Sequence, residues 1–328
     1  MRFLIDLVKQ AGALGCILPN HGYNYSDVGP LPVAALGIND MNLVKTYQNS
    51  TKKPQVQIFK SQAIYNNPAA PLVASFSSRG PSKFISDIIK PDVMAPGVEI
   101  LAAYSPMASP SNSFIDKSSV NYTILSGTSM ACPHVAAAAA FVKSFHPNWS
   151  PSAIKSALMT TAWEMDPIQN LDAEFAYGSG HIDPQKAKDP GLVQLNYPSM
   201  VARVDVKSAF VLSFPRTVTN VGDANSKYVA SIQGDSKLNI RVDPNILQFT
   251  SLNQKLSFVV TVEGKGIKSP LTVKSGSLLW TSEKHKVRSP VVVYTGNATT
   301  SSGGVSTPSP FCKAFVILFV CIIIAHCI

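Results

Sequence analysis

Acidic residues, cysteine and long apolar stretches are all scarce in this sequence, and each scarcity removes a class of explanation. The 19 Asp and Glu are outnumbered by 28 Lys and Arg, giving a formal charge of +9. That excess is spread out, densest at Lys52-Lys53 and at Lys284-His285-Lys286-Val287-Arg288. Neither cluster has interleaved aromatics, so both read as solvated faces and no nucleic acid is expected as a partner. Of the 5 cysteines, Cys312, Cys321 and Cys327 lie in the terminal tail, and Cys16 and Cys132 alone cannot build a disulfide framework. Met1 to Lys9 does not have the form of a signal peptide, because Asp6 and Lys9 interrupt its apolar run and no small-residue cleavage site follows. No residues form a metal or cofactor set. With 328 residues and 45% hydrophobic content, the chain is long enough for two ordinary domains.

The most informative segment is Tyr122-Thr123-Ile124-Leu125-Ser126-Gly127-Thr128-Ser129-Met130-Ala131-Cys132-Pro133-His134-Val135. A short apolar strand breaks at Gly127 and an Ala-rich helix begins. A serine at such a junction has its backbone N–H among the unpaired donors of the helix start, where partial positive charge favours a developing oxyanion. Acyl transfer needs that arrangement, and Ser129 is the candidate nucleophile. His134 is a poor base for it, since five helical positions amount to about 140° of rotation. His134 is expected to be a packed histidine and Cys132 a small buried hydrophobe.

Gly127-Thr128-Ser129-Met130-Ala131 with Pro133-His134-Val135-Ala136 resembles the nucleophile segment of the subtilisin-like serine proteases. Ser75-Phe76-Ser77-Ser78-Arg79-Gly80-Pro81 and Lys90-Pro91-Asp92-Val93-Met94-Ala95-Pro96-Gly97-Val98 resemble two further motifs of that family. Arg79, together with Phe145-His146-Pro147-Asn148-Trp149-Ser150-Pro151, is similar to the plant, cucumisin-like branch, and the likeness runs to residue 294. The resemblance implies a secreted, cell-wall endopeptidase acting on peptide or protein substrates through an acyl-enzyme. In that family an Asp-Thr-Gly segment and a Gly-His-Gly-Thr-His segment precede the serine and supply the orienting carboxylate and the base. Neither stands in these 328 residues, nor does the Gly-Asn-x-Gly-Pro segment carrying the oxyanion asparagine, and the only histidine before Ser129 is His21. The chain therefore resembles the C-terminal portion of such a protease and is expected to be inactive by itself.

The same resemblance orders the chain. Residues 1–65 read as the closing half of a protease-associated domain and a linker, with a helix from Leu4, strands at Gly15–Leu18 and Leu31–Leu36, a helix from Asp40 to about Asn49, and a returning strand at Val56–Lys60. Residues 66–193 read as the C-terminal part of an α/β catalytic domain. Strands there fall at Leu72–Ala74, Val98–Ala103 and Tyr122–Leu125 in a mostly parallel sheet, with helices at 129–146 and 151–162, the second capped by Ser150. Ala137 stands where the family tends to have glycine, so a crowded methyl is expected there. Residues 194–295 alternate apolar and polar positions over about seven short strands, resembling a fibronectin type III-like β-sandwich. A family-like connecting segment is missing where Val193-Gln194 runs into Leu195-Asn196-Tyr197.

A Ser/Thr/Gly/Pro linker (296–310) leads to a hydrophobic tail (311–328) in which Ala314–Ile328, about fifteen residues, is shorter than the roughly twenty a spanning helix needs. Ser301-Ser302-Gly303-Gly304, a spacer and this terminus have the form of a glycolipid-anchor signal, hence of membrane attachment; an artefactual extension is the other reading. Asn24, Asn49, Asn121, Asn148 and Asn297 each open a glycosylation sequon. Two other functional readings remain: a non-catalytic remnant acting as a binding module, and an α/β-hydrolase esterase using Asp166 or Asp172 with His181.

Overall fold

The computed structural model describes residues 2–19, 28–60, 62, 70–82, 84–111, 113, 115–170, 172–194 and 197–296. They fall into two compact units, Met1–Ser75 with Pro96–Pro133, and Phe76–Ala95 with His134–Ile328. His21, two of the sequons (Asn24 and Asn297) and the tail lie outside the described residues.

In the first unit, α1 (Arg2–Gln10) precedes β1 (Cys16–Pro19) and β2 (Val33–Leu36), which pair in parallel with Cys16 opposite Val33. Next comes α2 (Ile38–Ser50), none of whose residues is buried. Ile5, in α1, is buried, at 3% exposure. Val56–Lys60 and Leu72–Ala74 form no strands, contrary to their apolar pattern. A strand is made by a ladder to a neighbouring strand, and among the described residues neither segment joins one of the sheets. Among the described residues the strands of this segment also depart from the expected parallel pairing: β3 (Ile100–Ala103) and β4 (Tyr122–Leu125) pair antiparallel as a two-stranded sheet, with Leu101 opposite Ile124. A parallel sheet is stable when helices cover both faces. In this pair Leu101, Tyr122 and Ile124 are exposed and Thr123 is buried.

From β4 the chain enters α3 (Thr128–Phe145), an Ala-rich helix that buries Ala138 and Val142. Ala137 is exposed, so its methyl meets no crowding. In the second unit, α4 (Pro151–Thr160) starts as the sequence predicts: Ser150 accepts a hydrogen bond from the amide of Ala153 at 3.2 Å, and Pro151 fills the first turn, where no N–H is needed. Residues 154 and 156–160 of α4 are buried. Two short helices follow, α5 (Glu174–Tyr177) and α6 (Pro184–Ala187).

The remaining strands are β5 (Leu192–Gln194), β6 (Met200–Arg203), β7 (Phe210–Asn220), β8 (Ser226–Gly234), β9 (Asn239–Asp243), β10 (Ile246–Phe249), β11 (Lys255–Gly264), β12 (Val273–Thr281) and β13 (Lys286–Tyr294). They build a five-stranded sheet, β10-β8-β12-β13-β6, and a four-stranded sheet, β5-β7-β11-β9. The pattern of about seven strands missed the short β5 and β10, which gain their place from long neighbours. Alternation along β10 and β11 turns Leu247, Phe249, Phe258, Val260 and Val262 inward, against Tyr228, Leu278 and Trp280. Phe258 meets Trp280 edge to face, with ring centroids 5.0 Å apart.

Strand β13 departs furthest from alternation. Residues 287–294 of β13 are buried on both faces. Val287, Val291 and Val293 enter the sandwich core, while Val292 and Tyr294 join a second cluster with Ile89, Phe175 and Val201. The sandwich and the helical segment thus share buried surface inside one unit. Arg288 donates to the carbonyl of Ser179 at 2.7 Å, and the hydroxyl of Ser275 donates to the buried carboxylate of Glu174.

Candidate active site

Ser129 is the second residue of α3, and its side chain is exposed. Its position is set by the turn before it. The amide of Gly127 donates to the carbonyl of Gly97 at 2.7 Å, and the amide of Glu99 donates to the hydroxyl of Ser126 at 2.8 Å. These two bonds lash the end of β4 to the loop preceding β3. Gly97 is needed there: a Cβ on it would lie 2.9 Å from the carbonyl oxygen of Gly127 and 3.2 Å from Cβ of Ala131. Glu99, at φ 54, holds a left-handed conformation that a non-glycine residue rarely takes.

The amides of Met130 and Ala131 both point back to the carbonyl of Gly127, at 3.0 and 3.4 Å. Those of Thr128 and Ser129 make no hydrogen bond among the described residues, as the first turn of a helix dictates. Pro133 has no N–H to offer the carbonyl of Ser129 four residues back, so the first turn is looser still. The result is an exposed hydroxyl beside unpaired N–H donors at the positive end of an 18-residue helix.

Neighbouring residues differ in part from expectation. Cys132 is exposed, not a buried hydrophobe, because the face it occupies in the first turns of α3 is not covered by the described residues. His134 is half-buried, and α3 is helical throughout, which is the condition for the 140° or so between it and Ser129. The residues of the esterase reading are each engaged locally. Asp172 pairs with Arg79 at 2.9 Å, Asp166 accepts from the amide of Ile168 at 2.8 Å, and Nδ1 of His181 lies 3.0 Å from the carbonyl of Ile182.

The two upstream motifs have structural work. The amide of Gly80 donates to the carbonyl of Phe175 at 2.9 Å, and a Cβ on Gly80 would sit 2.3 Å from the carbonyl oxygen of Lys90. Asp92 pairs with Lys90 and Lys155, and its carbonyl accepts from the amide of Ser179 at 2.8 Å. Sequence reasoning missed the role of Ser126 and Glu99. The one available signal was Gly97, in the Ala95-Pro96-Gly97-Val98 motif. Among the described residues no group of three or more His, Cys, Asp or Glu could hold a metal ion, and no helix is long and apolar enough to cross a membrane.

Comparison with known proteins decides the family. Residues 29–183 match the model of the subtilase family, and residues 194–293 match a fibronectin type-III domain. The chain belongs to the subtilase family. Subtilisin-like protease SBT4.4 of Arabidopsis thaliana is 45% identical over 332 residues, covering 87% of this chain and 44% of the relative. Subtilisin-like protease SBT4.3 of the same plant is 47% identical over 328 residues, covering 87% and 45%. Subtilisin-like protease SBT4.8 is 45% identical over 315 residues, covering 83% and 44%. This subtilase chain thus spans a little under half the length of the curated relatives it matches. Its architecture is a subtilase segment followed by a β-rich fibronectin type III-like segment.

Proposed function

We propose that this chain carries the nucleophile-bearing part of a serine endopeptidase that cleaves peptide bonds through an acyl-enzyme on Ser129. The carrying observation is an exposed Ser129 beside the amides of Thr128 and Ser129, which make no hydrogen bond among the described residues. In the reaction the hydroxyl oxygen attacks the scissile carbonyl, and the N–H of Ser129 serves as half of an oxyanion hole for the oxygen that becomes negative. The proton goes to a histidine base, which passes it to the leaving amine, and water then releases the acyl group. No cofactor enters the scheme.

The base and its orienting aspartate come from sequence other than these 328 residues. Without them the serine hydroxyl is a weak nucleophile, and the isolated chain does not turn over. The segmentation into a protease-associated half (1–65), a catalytic part (66–193) and a sandwich (194–295) belongs to the same reading, as does an extracellular, glycosylated setting. Asn49, Asn121 and Asn148, which open three of the sequons, are exposed, which supports that setting.

The test joins this chain to the preceding half of subtilisin-like protease SBT4.4 and follows casein hydrolysis. Activity abolished by Ser129→Ala supports the reading. Activity that survives Ser129→Ala overturns the nucleophile, and a folded joined protein without activity favours the binding-module alternative.

A further inference from the structure

One end of the β-sandwich holds a cavity of about 280 Å³ that the subtilase reading does not use. It opens where β7 begins, where β11 ends and where the connection to β12 passes. Its floor is apolar: Leu238 and Ile267, each 8% exposed, belong to the sandwich core, and Phe210 packs against that core. Phe210 stands opposite Gly264 across the β7–β11 pair, and a side chain at 264 would meet its ring at 2.4 Å, so the glycine leaves the ring its place in this wall.

The rim is cationic. Lys237, Lys268 and Lys274 line the cavity, and no carboxylate does. Lys274 is satisfied by Asp235, at 2.6 Å, from just outside the lining. Lys237 and Lys268 are exposed and make no ion pair among the described residues. Three ammonium groups against one carboxylate leave two positive charges over an apolar floor.

We propose that this cavity is a binding site for an acidic peptide segment, which seats one aromatic or leucine side chain on Phe210, Leu238 and Ile267 and sets flanking carboxylates against Lys237 and Lys268. Size argues for a single side chain, because the volume lies below the roughly 300–1,000 Å³ of pockets that hold drug-sized molecules. Charge argues for carboxylates as flanks, since the Lys274–Asp235 pair is the same interaction already made at this mouth. The site does not rest on the assignment of Ser129.

The probe is a fluorescein-labelled, amidated peptide Asp-Glu-Phe-Glu-Asp, titrated with the full chain and read by fluorescence anisotropy at low ionic strength, where charge is little screened. Saturable binding is expected, weakened at least fivefold by Lys237→Glu with Lys268→Glu and at least fivefold when the peptide's Phe is Ala. Lys227→Glu with Lys255→Glu, a matched charge change at exposed lysines outside the cavity, should weaken binding less than twofold. An absence of saturable binding overturns the proposal. So does equal binding of the Ala peptide, or an equal loss from the two lysine pairs, since either means attraction to net charge alone. Circular dichroism of each variant verifies that these exposed substitutions leave the fold intact.

Discussion

The carbonyl of Gly97 holds the amide of Gly127 at 2.7 Å, and the turn that presents Ser129 depends on that bond. A methyl at position 97 would press on the Gly127 carbonyl oxygen from 2.9 Å and on Cβ of Ala131 from 3.2 Å. Both are backbone or short side-chain atoms with little room to move. Gly97→Ala is therefore expected to destabilise the turn by about 1–3 kcal/mol, the usual cost of overpacking. Amide hydrogen exchange at Gly127 and Glu99 should speed up accordingly, and unchanged protection of both would contradict the lash.

Arg288 is 9% exposed, and its guanidinium reaches the carbonyl of Ser179 at 2.7 Å. Replacing it by Met keeps the stem but leaves a buried carbonyl unpaired and removes a cation whose charge acts on Glu174. A loss of about 2–3 kcal/mol is expected, from a charge-assisted bond and an uncompensated partner. Trp149, Trp163 and Trp280 all lie in the second unit, so urea unfolding followed by tryptophan fluorescence reads this loss directly. An unchanged midpoint would mean that the contact contributes nothing.

Burial pushes the carboxyl of Glu174 above its ordinary value, against the opposing effects of the Ser275 hydroxyl and Arg288, and the charge of Glu164 pushes in the same direction as burial. A carboxyl with a raised folded value binds its proton more tightly when folded. Its contribution is thus full below the unfolded value of about 4.3 and is lost as pH rises through the folded one. Asp235 behaves oppositely: bonds from the Lys274 ammonium and the Lys237 amide lower its value, so its contribution is lost toward acid. The urea midpoint should accordingly decline as pH rises above the unfolded carboxyl value, and Glu174→Gln should flatten that decline. A Gln variant with the same slope would show that Glu174 does not cause it.

The parts legible in the sequence were those with local causes. Helix α4 follows from Ser150 as cap and Pro151 in the first turn, and the place of Ser129 follows from an apolar strand ending at Gly127 before an alanine run. What was not legible depends on neighbours. Val56–Lys60 and Leu72–Ala74 carry strand patterns, yet pairing is decided by which other strands are present. The double burial of β13 arises from Ile89 and Phe175, far away in sequence, and no alternation announces it. The left-handed Glu99 and its bond to Ser126 likewise have no periodic signal.

The claim that Ser129 is a nucleophile in need of a base from elsewhere is tested most directly by fluorophosphonate labelling, with the modified residue mapped by mass spectrometry. The account predicts no labelling of the isolated chain above its Ser129→Ala control, and stoichiometric modification at Ser129 once the chain is joined to the preceding half of subtilisin-like protease SBT4.4. Stoichiometric labelling of Ser129 in the isolated chain would contradict it, as would labelling of the joined protein at any residue other than Ser129.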